Sequence, residues 1–218
     1  MKRKPISIIC LILSTLFIYP ALTHAQEMKP IKLLPPQLAG SKPLMEVLQE
    51  RKSEREFSSK ELPLQILSDL LWAADGINRP GSGKRTAPTA MNLQEIDIYV
   101  AKTDGLYLYD AKDNALAPVL TEDVRAQTGS QIFVKNAPIN LIFVADFAKM
   151  GNVSADDANF YSATDTGYIS QNVYLYCASA GLVTVVRGWV DRPALVKVMK
   201  LRPDQKIILA QTVGYPKE

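Results

Sequence analysis

Histidine and cysteine are almost missing from this 218-residue chain, which has one of the first and two of the second. The lone histidine, His24, and one cysteine, Cys10, fall in residues 1–25, a stretch that reads as a secretory signal peptide. Lys2, Arg3 and Lys4 form its positive head, and Ile6 to Tyr19 is nearly all apolar. Pro20 interrupts the run, and Thr23-His24-Ala25 sets small residues where a signal peptidase reads, so cleavage is expected after Ala25. The run falls short of the ~18 apolar residues that a spanning helix needs, so no stable membrane anchor is expected. Bulky Ile9 before Cys10 argues against a lipoprotein. After cleavage no histidine remains, which excludes Ser-His-Asp and Cys-His mechanisms and His-bearing zinc sites. The one remaining cysteine, Cys177, cannot close an internal disulfide, although export would permit one. In Tyr174-Leu175-Tyr176-Cys177-Ala178 it reads as a buried, inert thiol. The expected location is the periplasm or outside the cell.

Net charge is lacking too. The formal surplus of +3 is carried by Lys2, Arg3 and Lys4, and the rest of the chain balances. No basic field for nucleic acid is present, and no nucleic-acid partner is expected. The length remaining after the leader predicts one domain, 44–218, behind an extended Pro-rich arm, 26–43.

The elements read as follows. Leu44, Val47 and Leu48 have helical spacing, and that helix delivers Arg51 to Arg55 near its end. A second helix starts at Leu62-Pro63, carries Ile66, Leu67, Leu70 and Leu71 on one face, and stops near Asp75-Gly76. Residues 76–89 read as a Gly-, Pro- and cation-rich loop of functional length. Glu95 to Lys102 alternates as a strand, Asp104-Gly105 turns it into Leu106 to Tyr109, and Thr121 to Thr128 reads as a short helix capped by Thr121. Ile139 to Ala145 is a continuous apolar run, the signature of a strand buried on both faces. Asp156 to Ala180 is the longest helix, stopped by Gly181. Val183 to Val186 is a strand, Pro193 to Leu201 a short helix and Lys206 to Val213 the last strand. The fold class is α+β, a sheet with helices packed on it.

Two polar clusters stand out. Arg51-Lys52-Ser53-Glu54-Arg55 packs three cations and a hydroxyl into a short run, chemistry suited to a phosphate. Taken alone it equally describes a solvated helix face whose glutamates pair with the cations. Pro88-Thr89-Ala90-Met91-Asn92-Leu93-Gln94 offers a hydroxyl, amides and a stiff proline on a loop, suited to the polar edge of a planar ring; taken alone it is also an ordinary turn. Neither contains a good proton shuttle or metal ligand. Together they describe a site that holds a cofactor and leaves the hard chemistry to it.

Four segments resemble the nitroreductase family of flavin mononucleotide (FMN) oxidoreductases, nearest the branch that includes the thiazoline dehydrogenases. They are Arg51 to Phe57; Leu70 to Gly76 running on to Arg85-Thr86-Ala87-Pro88-Thr89; Asp165 to Leu175 ending in Ala180-Gly181-Leu182; and Val213-Gly214-Tyr215-Pro216. The resemblance implies a central, mostly antiparallel sheet flanked by helices, and a homodimer with FMN at the interface. It implies that Arg51, Lys52 and Ser53 grip the phosphate and that Arg55 faces the pyrimidine edge of the flavin. It further implies that Pro88, Thr89 and Asn92 reach the flavin from the partner subunit, and that Val186-Arg187-Gly188 presents a backbone N–H, at Gly188, to the reactive ring nitrogen. The resemblance also implies Lys217 as a further phosphate contact. The Lys-Tyr pair of the thiazoline dehydrogenases has no counterpart near Val153-Ser154, so the resemblance does not extend to azoline oxidation. The basic extension that many members carry is also absent after Lys217-Glu218, so one phosphate ligand is expected to be missing or replaced.

The expected function is an exported FMN-dependent oxidoreductase working by a ping-pong cycle between a small-molecule electron donor and acceptor. The alternative is a flavin or small-ligand binding protein without turnover.

Overall fold

The computed structural model describes residues 28–217; the leader, with Cys10 and His24, and Glu218 lie outside the described residues. The arm runs extended, and Ile31–Lys32 (β1) pairs with Leu116 and Ala115. Leu44–Glu50 is α1 and Leu64–Asp75 is α2. Pro63 precedes the first turn of α2, where a missing N–H leaves no bond unmade. Ile77–Arg79 (β2) and Lys84–Arg85 (β3) then form a small separate hairpin. Ile96–Lys102 (β4), Gly105–Asp110 (β5) and Ala115–Leu120 (β6) follow as a meander. After Phe133–Asn136 (α3) comes Ile139–Asp146 (β7) and then Ala155–Ser179 (α4). Val183–Arg187 (β8), Arg192–Met199 (α5) and Gln205–Gly214 (β9) complete the chain.

Seven strands make one antiparallel sheet in the order β1-β6-β5-β4-β7-β9-β8. All eight residues of β7 are buried, as a strand covered on both faces requires. Alternation sorts the side chains into two layers. Ile98 and Val100 of β4 and Leu141 and Phe143 of β7 pack beneath α2 and α4, against Leu70, Leu71, Ile169, Val173 and Cys177. Tyr99, Ala101, Ile142 and Val144 face the other way, onto Leu195 and Met199 of α5. Each fully buried Leu or Phe contributes ~1.5–3 kcal/mol.

α4 is stabilised locally at both ends. Ser154 accepts the Asp157 N–H at 3.1 Å, and Asp156 and Asp157 stand in the first turn, where the helix dipole favours acids. Gly181 follows the last turn at φ +68°, the left-handed conformation that stops a helix. Among the described residues no helix is long and apolar enough to cross a membrane, and no group of His, Cys, Asp or Glu could hold a metal ion.

Some elements depart from the sequence reading. The arm contributes an edge strand, and residues 76–89 contain a hairpin rather than a plain loop. β6 is not legible in the sequence, because Pro118 lacks a ladder donor and Val119 beside it is exposed; the sheet accepts it near an edge, beside a register shift at Leu106/Tyr107. Thr121 caps nothing: only Arg125–Thr128 winds, as a 3₁₀ turn. There the Asp123 carboxylate accepts the Arg125 backbone N–H and its guanidinium, a local alternative to a longer helix. Arg51 to Arg55 lie beyond α1 rather than on it, since the helix ends at Glu50.

Candidate functional site

Two anchors fix the segment after α1. The Glu54 N–H donates to the Thr184 carbonyl of β8 at 3.0 Å. Phe57, buried, bridges to Pro216 at the end of β9. The chain around the first anchor displays Arg51, Lys52, Ser53 and Arg55. Ser53 Oγ lies 2.7 Å from the Tyr174 hydroxyl of α4, and that hydroxyl accepts the Val186 N–H at 3.0 Å. The Arg51 guanidinium sits over the Tyr174 ring, 5.4 Å from its centroid. One buried tyrosine therefore brings together Arg51, Ser53 and Val186, three of the residues singled out in the sequence. Lys52 pairs with Glu54 at 3.3 Å on an exposed side chain, a weak pair that leaves the cation free to turn. Arg55 is exposed. A cleft of about 490 Å³ opens here, lined in part by Lys52, Tyr174, Thr184 and Pro216.

Gly188, at the exposed end of β8, has nothing nearer than Leu209 at 3.8 Å from where a Cβ would stand, so its peptide is open to approach. Arg187 behaves differently. Its side chain turns inward, with Nη1 donating to the Thr128 carbonyl at 2.7 Å, Nη2 to Asn140 Oδ1 at 3.0 Å and Nε to Thr212 Oγ1 at 3.1 Å. Burial depresses this guanidinium to about 10. The Arg187 guanidinium thus ties β7, β8 and β9 to the 3₁₀ turn, so of this residue only the backbone stands beside Gly188. Lys217 is also not gathered with Arg51 and Ser53. Its N–H donates to the Glu56 carbonyl, and it lines a different cleft, with Ser58, Arg125 and Lys135.

The second cluster is held from below. The Thr89 hydroxyl donates to Glu95 Oε2 at 3.1 Å and accepts the Gln94 N–H at 3.0 Å. The Ala90 N–H donates to Asp165 Oδ2 of α4 at 2.8 Å. The Gln94 amide donates to the Gly83 carbonyl and to Asn92, and accepts from Arg85 Nε at 3.0 Å. Pro88 and Asn92 stay exposed. Asp165 and Tyr174 are ~14 Å apart along the α4 axis at 1.5 Å per residue. The structure thus keeps the loop cluster and the cationic cluster apart within one chain.

Sequence reasoning missed three residues here. Tyr174 read as part of an apolar helix, yet its hydroxyl is the meeting point. Glu95 and Asp165 were not singled out; the available signal was a lone acid at the mouth of an apolar strand and another inside a helix with a buried face. The chemistry of the donor set fits a phosphorylated planar molecule: guanidinium and hydroxyl for the phosphate, an open peptide and polar loop for the ring.

Comparison with known proteins points the same way. A family model described as the nitroreductase family matches residues 48–215. A protein of Methanocaldococcus jannaschii, named a candidate nitroreductase, is 32% identical over 169 residues, 73% of this chain and 85% of its own. A crystal structure of a candidate nitroreductase from Ralstonia eutropha matches with a TM-score of 0.84 at 44% identity, over 88% of this chain and 91% of that one. A candidate nitroreductase from Desulfovibrio desulfuricans, solved in complex with FMN, shares the fold at 18% identity and a TM-score of 0.59, over 81% of this chain and 88% of that one.

Proposed function

This chain belongs to the nitroreductase family, and from that premise we propose that it is an exported FMN-dependent oxidoreductase acting as a homodimer. The observation that carries the reading is the meeting of Arg51, Ser53 and the Val186 peptide on Tyr174. When bound, FMN supplies the hydride and electron transfer. The residues of the chain bind and orient. Arg51 offers a planar fork, and Ser53 a hydroxyl already aligned by Tyr174, to the phosphate. Arg55 places a fixed cation for the pyrimidine edge, where it favours negative charge. Gly188 presents an unobstructed peptide to the ring. Pro88, Thr89 and Asn92 reach the flavin gripped by the other copy, in keeping with their separation from Tyr174 along α4. No side chain is needed as acid or base, and Cys177 is no nucleophile, because burial pushes its thiol well up. Small-molecule donor and acceptor then take turns at one open face, a ping-pong cycle.

The test is titration of the chain with FMN and with riboflavin. FMN at about a hundredfold its dissociation constant stabilises by about 2.7 kcal/mol. Arg51→Ala removes a charge-assisted contact of about 1.5–3 kcal/mol, and the loss falls on FMN and not on riboflavin, which has no phosphate. A colourless protein with no thermal shift refutes the reading. Tight binding without reduction by any small-molecule donor leaves a flavin carrier instead.

A further inference from the structure

Beneath loop 88–94 the chain buries two carboxyl groups against each other. Glu95, at the mouth of β4, is fully buried, and Asp165 on α4 is 3% exposed. Each holds a different residue of the loop: Glu95 accepts from the Thr89 hydroxyl and Asp165 from the Ala90 N–H. The loop needs holding, because Met91, Asn92 and Gln94 all adopt left-handed backbone, at φ 51°, 57° and 50°. Non-glycine residues persist there only when their surroundings impose it.

Glu95 Oε1 is buried with no hydrogen-bond partner. Two charged carboxylates in this space repel, and that oxygen stays unsatisfied. A proton on Glu95, donated toward Asp165, removes both difficulties. Burial above all, with Asp165 adding to it, pushes the Glu95 carboxyl above the ordinary range. Beside the pair lie Thr166, next to Asp165, whose hydroxyl is also buried and unpartnered, and Asp75 at the end of α2, which feels Glu95; around Asp75 in turn stand Arg85 of β3, paired with it, and Lys149, paired with Asp97 of β4. Both cations are engaged with other acids, so neither neutralises the Glu95–Asp165 pair.

We propose that Glu95 and Asp165 form a latch that sets loop 88–94 in the shape that meets the flavin, which makes them positioning residues for cofactor binding. The proposal rests on the reading of that loop as the one that touches the flavin of the partner copy. With one proton between them the two carboxyl groups attract. Loss of that proton sets two buried charges against each other and drives the anchors apart, and the loop follows because each anchor holds a different residue of it. Flavin affinity then falls as pH rises through the Glu95 pKa.

The experiment compares FMN titrations of the wild-type chain and Glu95→Gln from about pH 4, near the ordinary carboxyl value, into the alkaline range. Glutamine keeps an acceptor for Thr89, supplies a permanent donor toward Asp165 and cannot ionise. Wild-type affinity is expected to fall with pH, by up to about tenfold per unit above the Glu95 pKa, whereas Glu95→Gln keeps its low-pH affinity throughout. Glu95→Ala binds weakly at every pH, so the conservative variant rescues. Asp165→Asn relieves the same repulsion from the other side, gives the same flat profile, and serves if Glu95→Gln fails to fold. A flavin-free readout is the hydrogen-exchange protection factor of the Ala90 amide, which drops with pH in the wild type and holds in both amide variants. Identical pH profiles in wild type and variants, or Ala90 protection indifferent to pH, overturn the latch and leave the flavin reading intact. A wild type that takes up no FMN at any pH overturns that reading, and the cofactor role of the latch with it.

Discussion

Arg187 carries a buried guanidinium whose hydrogen bonds all go to neutral acceptors, those of Thr128, Asn140 and Thr212. Such a charge persists only if its donors are met. The fit depends on Gly129, where a Cβ would stand 2.0 Å from Arg187 Nη1. The side chain has little room to retreat, because three of its nitrogens are bonded. Gly129→Ala is therefore expected to destabilise the fold by about 1–3 kcal/mol. Urea unfolding checks it: the midpoint falls at constant m-value, and an unchanged midpoint would show that Arg187 is free to move. The same residue shows why a basic side chain next to a ligand site is not evidence of a ligand contact. Its neighbour Gly188, one peptide further on, faces out.

At the scale of elements, the junction between α2 and the β2–β3 hairpin joins the helix end to the loop that follows. Arg85 Nη1 donates both to the Asp75 carbonyl and to its carboxylate, each at 3.0 Å, and Arg85 Nε donates to Gln94. A cation thus stands on the C-terminal end of α2, where the dipole favours it. Burial nevertheless outweighs Arg85 at Asp75 and pushes that carboxyl up to about 7. A raised carboxyl stabilises the fold fully below its unfolded pKa, near 4, and the contribution is lost as pH rises through 7. The swing is about 4 kcal/mol. Asp75→Asn keeps an acceptor for Arg85 and cannot ionise. Thermal melts against pH are expected to show wild-type Tm falling relative to Asp75→Asn between about pH 4 and 7; parallel curves would show that Asp75 stays ionised beside Arg85.

For the molecule as a whole, the separation of the two clusters along α4 raises the question of how many chains make one site. Exposed Phe160 and Tyr168 on α4, and Trp189 just after β8, leave apolar surface of the kind a second copy covers. If each flavin is gripped by Arg51 of one copy and met by Asn92 of the other, two defective chains can repair each other. A mixed dimer of Arg51→Ala and Asn92→Ala has one doubly damaged site and one intact site. Random mixing then restores tight FMN binding in about a quarter of all sites. A site built within one chain gives no recovery, and a calorimetric titration of the mixture distinguishes the two.

Much of this protein is written locally. The alternation of β4, the apolar run of β7, the Ser154 cap and Gly181 stop of α4, and the ordered family segments are all legible from neighbouring residues, because they record which face of an element is buried. The near-absence of histidine and cysteine likewise narrows the chemistry without any coordinates. What long-range packing alone decides is which polar groups meet. Ser53 and Tyr174 lie 121 positions apart, Ala90 and Asp165 lie 75 apart, and Arg187 and Thr128 lie 59 apart. No periodicity encodes such meetings: a side chain's burial pattern says that it is inside, and only the crossing of helix over sheet says beside what. For that reason Arg51 and Ser53 stand out in the sequence as a cationic, hydroxyl-bearing cluster while Tyr174, which meets both, does not, and the inward turn of Arg187 and the burial of Glu95 and Asp165 beneath one loop emerge only when the sheet and α4 come together.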